Sequence, residues 1–326
     1  MPFLSVNRYL GLGKETSRGT AATPSIWIPV DPNPTLEPDL KWLDDKGLRG
    51  SPVEVYDAVA GVRSDAYNFK GNVFADTFPA LLEALLGGTD TVTGTTAPYT
   101  HKIGLANDAS TGSQPPSYTI VDVDNITEGS DAAKQVTAGQ LSELSIDFSA
   151  DGAVTYSGKM IGNPFTEVAT PSSPSWSTEV FMPAWNGTIT FGTVQSSVVM
   201  SGSLSLKRDA TPVFTLGQQG PYRVWAGPLV VSGKFVFVAE ASDNTFTNAL
   251  ARDHQSLTIE FADPVSSHSV SFQMSTAQLQ NPKVSSDKAW EEINADFIAV
   301  ANTTDATATG YAPVVTTTIN GQSASY

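Results

Sequence analysis

Leu144-Ser145-Ile146-Asp147-Phe148-Ser149, then the turn pair Asp151-Gly152, then Val154 to Met160, is the stretch that decides the fold. Large apolar residues alternate with small polar ones, so an extended chain puts every apolar side chain on one face and every polar one on the other. Asp-Gly tolerates the backbone of a tight hairpin turn. The same two-residue period returns in Val198 to Lys207, in Leu257-Thr258-Ile259-Glu260-Phe261 and in Val270-Ser271-Phe272-Gln273-Met274. Each reads as a strand with one buried and one polar face. The fold class expected is mainly β, a sandwich or barrel with a short helix at its flank.

Helical signals are few. Thr77 to Leu86 carries Pro79 in a first turn and Gly87-Gly88 as a stop, with Asp76 or Thr77 to supply a capping oxygen. A second short helix is expected over 244–251. The stretches leading into the two helices echo each other. Asn68 to Asp76 and Val231 to Glu240 each give a glycine, an alternating strand and an acid before a Leu/Ala helix. Each helix is followed by a similar strand, Ser117-Tyr118-Thr119-Ile120-Val121 and Ser256-Leu257-Thr258-Ile259-Glu260. That order points to two copies of one β unit.

Working outward, residues 1–50 read as an extended arm. Pro24, Pro29, Pro32, Pro34 and Pro38 forbid a helix or a central strand there. Leu12, Ile26, Trp27 and Ile28 are the arm's apolar anchors, packing on its own domain or on a neighbouring subunit, and they are taken as candidate contacts between subunits. The expected division is an arm over 1–50, a first unit over 51–165, a Pro/Ser/Thr linker over 166–187, a second unit over 188–300 and a C-terminal extension over 301–326. The extension contains Val314 to Ile319, a strand without a local partner.

Composition narrows the function. Charged residues are only 16% of the chain, below the usual quarter or so, and Ser and Thr fill the polar positions instead. The formal net charge of −15, spread through both halves, disfavours a protein that grips nucleic acid. It does not argue against a smooth conduit, and it equally serves solubility. The absence of cysteine excludes disulfides, thiolate metal sites and a Cys nucleophile. No apolar run is long enough to span a bilayer. The opening residues lack a secretory pattern, so the chain is expected to stay in the cytoplasm where it is made until assembly.

No catalytic constellation emerges. Gly11-Leu12-Gly13-Lys14-Glu15 brushes against a phosphate loop, but Arg8 and Glu15 stand where that loop needs Gly and Ser or Thr. His101, His254 and His268 are isolated and read as loop or surface residues. Asp122-Val123-Asp124-Asn125 lacks the glycine and terminal glutamate of a calcium loop. Neither a cofactor, a metal nor an enzymatic activity is expected.

The run Gly11-Leu12-Gly13-Lys14-Glu15-Thr16-Ser17-Arg18-Gly19-Thr20, with Trp27-Ile28-Pro29 after it, resembles the opening of major tail tube proteins of long-tailed bacteriophages, especially those of actinobacteria. Gly202 to Arg208, Leu216 to Pro221, Gly233-Lys234-Phe235 and the ending Trp290 to Ala306 are similar to the rest of that family. The resemblance spans nearly the whole chain. It implies packed β-sheets that join those of neighbours in a ring, a β-barrel around a lumen, and rings stacked into a tail. DNA would pass through without specific binding, kept off an acidic wall by like charge. If the unit is duplicated, three chains would replace six. The implied partners are other copies of the chain, the tape measure, the tail terminator and the distal tail protein. The two-faced strands supply candidate lumen residues Ser145, Asp147, Ser149, Ser203, Ser205 and Glu240. The alternative is a carbohydrate-binding β-sandwich in which Trp176, Trp185 and Trp225 stack on sugars.

Overall fold

The computed structural model describes residues 8–107, 112–124, 132–171, 174–240 and 254–326. Its strands are antiparallel and fall into two sets with the same pairings. In the first set β1 (Tyr9–Lys14) pairs with β2 (Ile26–Ile28) and with β7 (Tyr118–Val123), and β7 pairs with β8 (Ala133–Ser149). The N-terminal half of β8 also takes β10 (Thr166–Val168). Its C-terminal half takes β9 (Thr155–Gly162), then β4 (Asp57–Asn72) and β3 (Thr35–Asp45).

The second set repeats this in the same chain order. β11 (Gly187–Phe191) pairs with β12 (Val194–Ser196) and β17 (His254–Ala262), and β17 with β18 (Ser269–Ser285). The N-terminal half of β18 takes β20 (Val315–Asn320). Its C-terminal half takes β19 (Glu292–Ala299), then β16 (Val230–Val238) and β13 (Val199–Lys207). The two sets join where β13 lies along the C-terminal half of β8. Two short hairpins complete the list: β5 (Thr91–Thr93) with β6 (Tyr99–Gly104), and β14 (Thr211–Val213) with β15 (Arg223–Trp225). β6 also pairs with β20, so the C-terminal strand finds its partners within the chain, between the two sets.

One apolar core runs through both sets, from Leu10, Phe69 and Ile146 to Phe235, Phe272 and Phe297. The helix α1 (Phe78–Leu86) is buried along its whole length within it. Gly87 ends it at φ 77°, a left-handed conformation open to glycine, and donates its N–H to Glu83 O. Its last carbonyls find partners outside the helix, and Leu86 O accepts from Ala106 N–H at 2.9 Å. The buried Arg208 reaches them, donating to Leu85 O and Leu86 O at 3.2 and 3.4 Å, and so ties the second set to the helix of the first. The N-terminus differs from expectation. Thr77 makes no side-chain cap bond, and Asp76 Oδ1 accepts instead from Ser177 Oγ at 2.8 Å. The second expected helix, 244–251, lies outside the described residues.

The N-terminal segment is part of the body. Leu12, Trp27 and Ile28 are buried in the chain's own core and Ile26 packs against it, which corrects their reading as contacts with a neighbour. The reason is register: β1 sits between β2 and β7, so its alternate side chains point inward. Pro38 does lie in a strand, β3, but among the described residues that strand has a partner on one side only. The expected boundary at residue 50 falls in the turn between β3 and β4. The expected linker contains β10 and the fully buried Met182.

Burial raises the phenol pKa of Tyr67, Tyr118, Tyr156 and Tyr326. The folded state therefore holds these protons longer than the unfolded chain does. The stability they contribute is complete below the free phenol value of about 10 and is lost as pH rises above it. In an ultraviolet phenolate titration these four should ionise only with unfolding. Smooth titration of all tyrosines in a folded protein would contradict this.

Candidate assembly surfaces

The Gly-x-Gly-Lys-Glu run is a structural clamp. Gly11 leaves room for the Trp27 ring and Pro24, and a Cβ on Gly13 would stand 2.7 Å from Thr23 O. Lys14 Nζ reaches Glu83 on α1 at 2.6 Å. Glu15 is buried and accepts from Gly19 N–H (2.7 Å), Ser117 Oγ (2.7 Å), Thr119 Oγ1 (2.9 Å) and Ala138 N–H (2.8 Å). Ala138 has φ 55° and lies in the bulge where β8 leaves one sheet for the other. Glu15 thus holds the strained corner of the first set. The buried Asp305 holds the matching bulge of β18, accepting from Ser275 N–H (2.7 Å) and Ser275 Oγ (2.6 Å). Neither role was visible in the sequence, because the donors lie far along the chain.

Above the core, eight strands from β3 to β18 present one continuous polar face. Opposed residues share a face, so the register gives its rows directly. Thr35, Asn68, Lys159, Glu143 and Lys207 form one row. Lys70, Ser157, Ser145, Ser205 and Ser232 form the next. Asn72, Thr155, Asp147, Ser203, Lys234 and Asp296 form a third. Ser149 lies opposite Ser201 at the face's end. Structure therefore brings Ser145, Asp147, Ser149, Ser203 and Ser205 together, whereas Glu240 lies exposed beyond the end of β16. This face does not carry the chain's acid excess. Its lysines alternate with its carboxylates, with Glu143 between Lys159 and Lys207.

A second surface projects from the first. Beyond Leu40 and before Arg63, β3 and β4 pair chiefly with each other. The ribbon and its turn expose Trp42, Leu43, Leu48, Val53, Val55 and Val59, with Leu48 wholly in solvent. A two-stranded ribbon gains little stability alone in water, and clustered apolar side chains on it mark a contact surface.

The sequence model of the family described as "Phage tail tube protein" matches residues 5–299, nearly the whole chain. The chain belongs to that family. It is a structural protein of the phage virion, located in the tail. Among curated proteins there is no match.

Other sequence candidates of this tail tube chain have structural places. Trp176 packs edge-on against Tyr9 and Trp27, and Trp225 lies under the Arg223 guanidinium at 3.9 Å. Trp185 is exposed, and no ring contact joins these three tryptophans among the described residues. They form no sugar platform. His101 is no surface residue: it is fully buried, with Nδ1 at 2.7 Å from Asp90 and Nε2 at 2.8 Å from Gln322 O. It fastens the C-terminal segment, whose Tyr326 hydroxyl donates to Asp76 O at 2.6 Å. His268 pairs with Glu179 at 3.2 Å, and burial raises that carboxyl's pKa. Among the described residues no cluster of His, Asp or Glu could hold a metal, and no helix is long and apolar enough to cross a membrane.

Proposed function

We propose that this chain associates with copies of itself into stacked rings, three chains to a ring, forming the tube through which phage DNA leaves the virion. Each chain supplies two tail-tube units, residues 9–168 and 187–320, in place of the arm-and-linker division. The observation that carries the reading is the repeated pairing pattern. One unit joins the next inside the chain through β8 and β13, and among the described residues the outer strands β3 and C-terminal β18 are paired along one edge only. An open edge with a two-faced strand is an unfinished sheet, and closure in a ring removes it.

The polar face is the proposed lumen wall. Ser145, Asp147, Ser149, Ser203 and Ser205 lie near its centre. A wall of small hydroxyls with interspersed charges of both signs offers DNA no continuous basic track. The exposed ribbon is the proposed contact with the adjacent ring. The tape measure, tail terminator and distal tail protein are the proposed further partners, met during assembly in the host cytoplasm.

Purified protein at high concentration should form rings or tubes with a central channel by electron microscopy, and native mass spectrometry should find a three-chain ring. A strictly monomeric species under all conditions would end this reading, and a six-chain ring would end the stoichiometry.

A further inference from the structure

We infer that adjacent chains are joined by β3 of one chain and the C-terminal half of β18 of the next, with Glu37 set opposite Lys283. This rests on the ring reading above and specifies its joint.

The internal joint is the template. The bulge shared by β8 and β18 aligns the two sets: Tyr118 faces Gly139 before it, and Gln255 faces Ala277. From there Gln140 faces Ile161 and Gln278 faces Ile298. One ladder step on, Tyr67 faces Met160 and Gly233 faces Phe297. Leu36 faces Tyr67 as Leu204 faces Gly233, so Leu36 stands where Leu204 stands. At the other end Ile146 faces Tyr156 as Val284 faces Ile293, so Val284 stands where Ile146 stands.

In the internal joint Leu204 faces Ile146 and Ser205 faces Ser145. The matching pairs between chains are Leu36 with Val284 and Glu37 with Lys283. Leu204 and Ile146 are each 1% exposed, whereas Val284 is 53% exposed and Leu36 half-buried. The open edges thus bear the apolar pair that the internal joint buries. Glu37 and Lys283 are exposed and have no ion-pair or hydrogen-bond partner among the described residues.

The backbone phase agrees. Ala150 N–H donates to Met200 O and Arg208 N–H to Ser142 O, so Leu204–Ile146 is a hydrogen-bonded pair and Ser205–Ser145 a non-bonded one. Side chains approach most closely at non-bonded pairs, and Ser145 Oγ lies 3.4 Å from Ser205 Oγ. Glu37 and Lys283 inherit that close site as opposite charges. The next pair would be Pro38 with Pro282. Neither has an N–H to donate, and Pro282 lies in the bulge between Gln280 and Lys283, so the ladder ends there.

The chain has no cysteine, so paired cysteines report the register cleanly. In E37C/K283C, a non-bonded pair suits disulfide geometry. Oxidation should give covalent dimers and a closed ring on a non-reducing gel. The one-residue shift E37C/V284C should not link, because the two side chains leave opposite faces. As a second measurement, E37K and K283E should each raise the concentration for half-assembly about tenfold, and the double exchange should recover it. Linkage in the shifted pair, or no effect of either reversal, in a protein that still forms rings overturns this joint and leaves the ring standing. Absence of rings in the unaltered protein overturns both.

Discussion

Glu15→Ala is expected to lower the unfolding free energy by about 4 kcal/mol or more, enough to abolish a cooperative transition in a marginally stable protein. The carboxylate receives four donors, from Gly19, Ser117, Thr119 and Ala138, in a buried site. Alanine strands all of them. Each buried donor left without a partner costs about 1–3 kcal/mol, and bonds to a charged acceptor are at the upper end. The loss also frees Ala138, whose positive φ persists only while its surroundings hold it. Glu15→Gln keeps one acceptor oxygen and should lie between the two. Urea unfolding followed by fluorescence checks the order. A loss below about 1 kcal/mol for Glu15→Ala would mean that water replaces the carboxylate and that the clamp is not structural. By the same geometry, removal of residues 1–20 takes out β1 from between β2 and β7, so loss of the fold is expected.

Replacing the ribbon tip, residues 45–57, by a two-residue Asn-Gly turn between the paired Asp44 and Ala58 has the opposite signature. Tubes should be lost while the thermal transition is kept. The tip adds little to the chain's own core: Leu48 is fully exposed, and Val53 and Val55 are about half so. A surface substitution away from buried contacts moves stability by about half a kcal/mol or less, whereas removing the clustered apolar side chains of a contact surface removes its hot spots. Calorimetry reads the first quantity and electron microscopy the second. Tubes of ordinary length from the shortened chain would exclude the ribbon as the contact between rings. A lost thermal transition would mean that it supports the fold.

The elements most legible in the sequence were those with local signals. The alternation in 144–149 and 198–207 placed two strands that prove to be neighbours, and Pro79 and Gly87 bracketed α1. The echo between the halves was legible as an order of elements and missed in register. Ser117 was matched with Ser256, whereas the pairing sets Tyr118 against Gln255, two residues away. A shift of two keeps every side chain on its face, so alternation alone cannot detect it. The prolines of 24–38 were read as an arm because a proline excludes a central strand. Yet of these prolines only Pro38 lies in a strand, at the edge in β3, and those around β2 lie outside its three residues.

What the sequence determined by itself is the two-faced strand, since apolar and polar residues at a period of two leave an extended chain one way to hide its apolar face. It also carried the family, through motifs whose order survives along the chain. Tertiary structure alone decided which strands meet, that Glu15 and Asp305 secure matching corners from opposite ends of the chain, and that lysines and carboxylates alternate on the polar face. The physical reason is separation. A strand's periodicity is written in neighbouring residues, whereas a buried carboxylate's donors and a sheet's charge pattern are set by residues up to more than a hundred positions apart, brought together only by the register of the ladders.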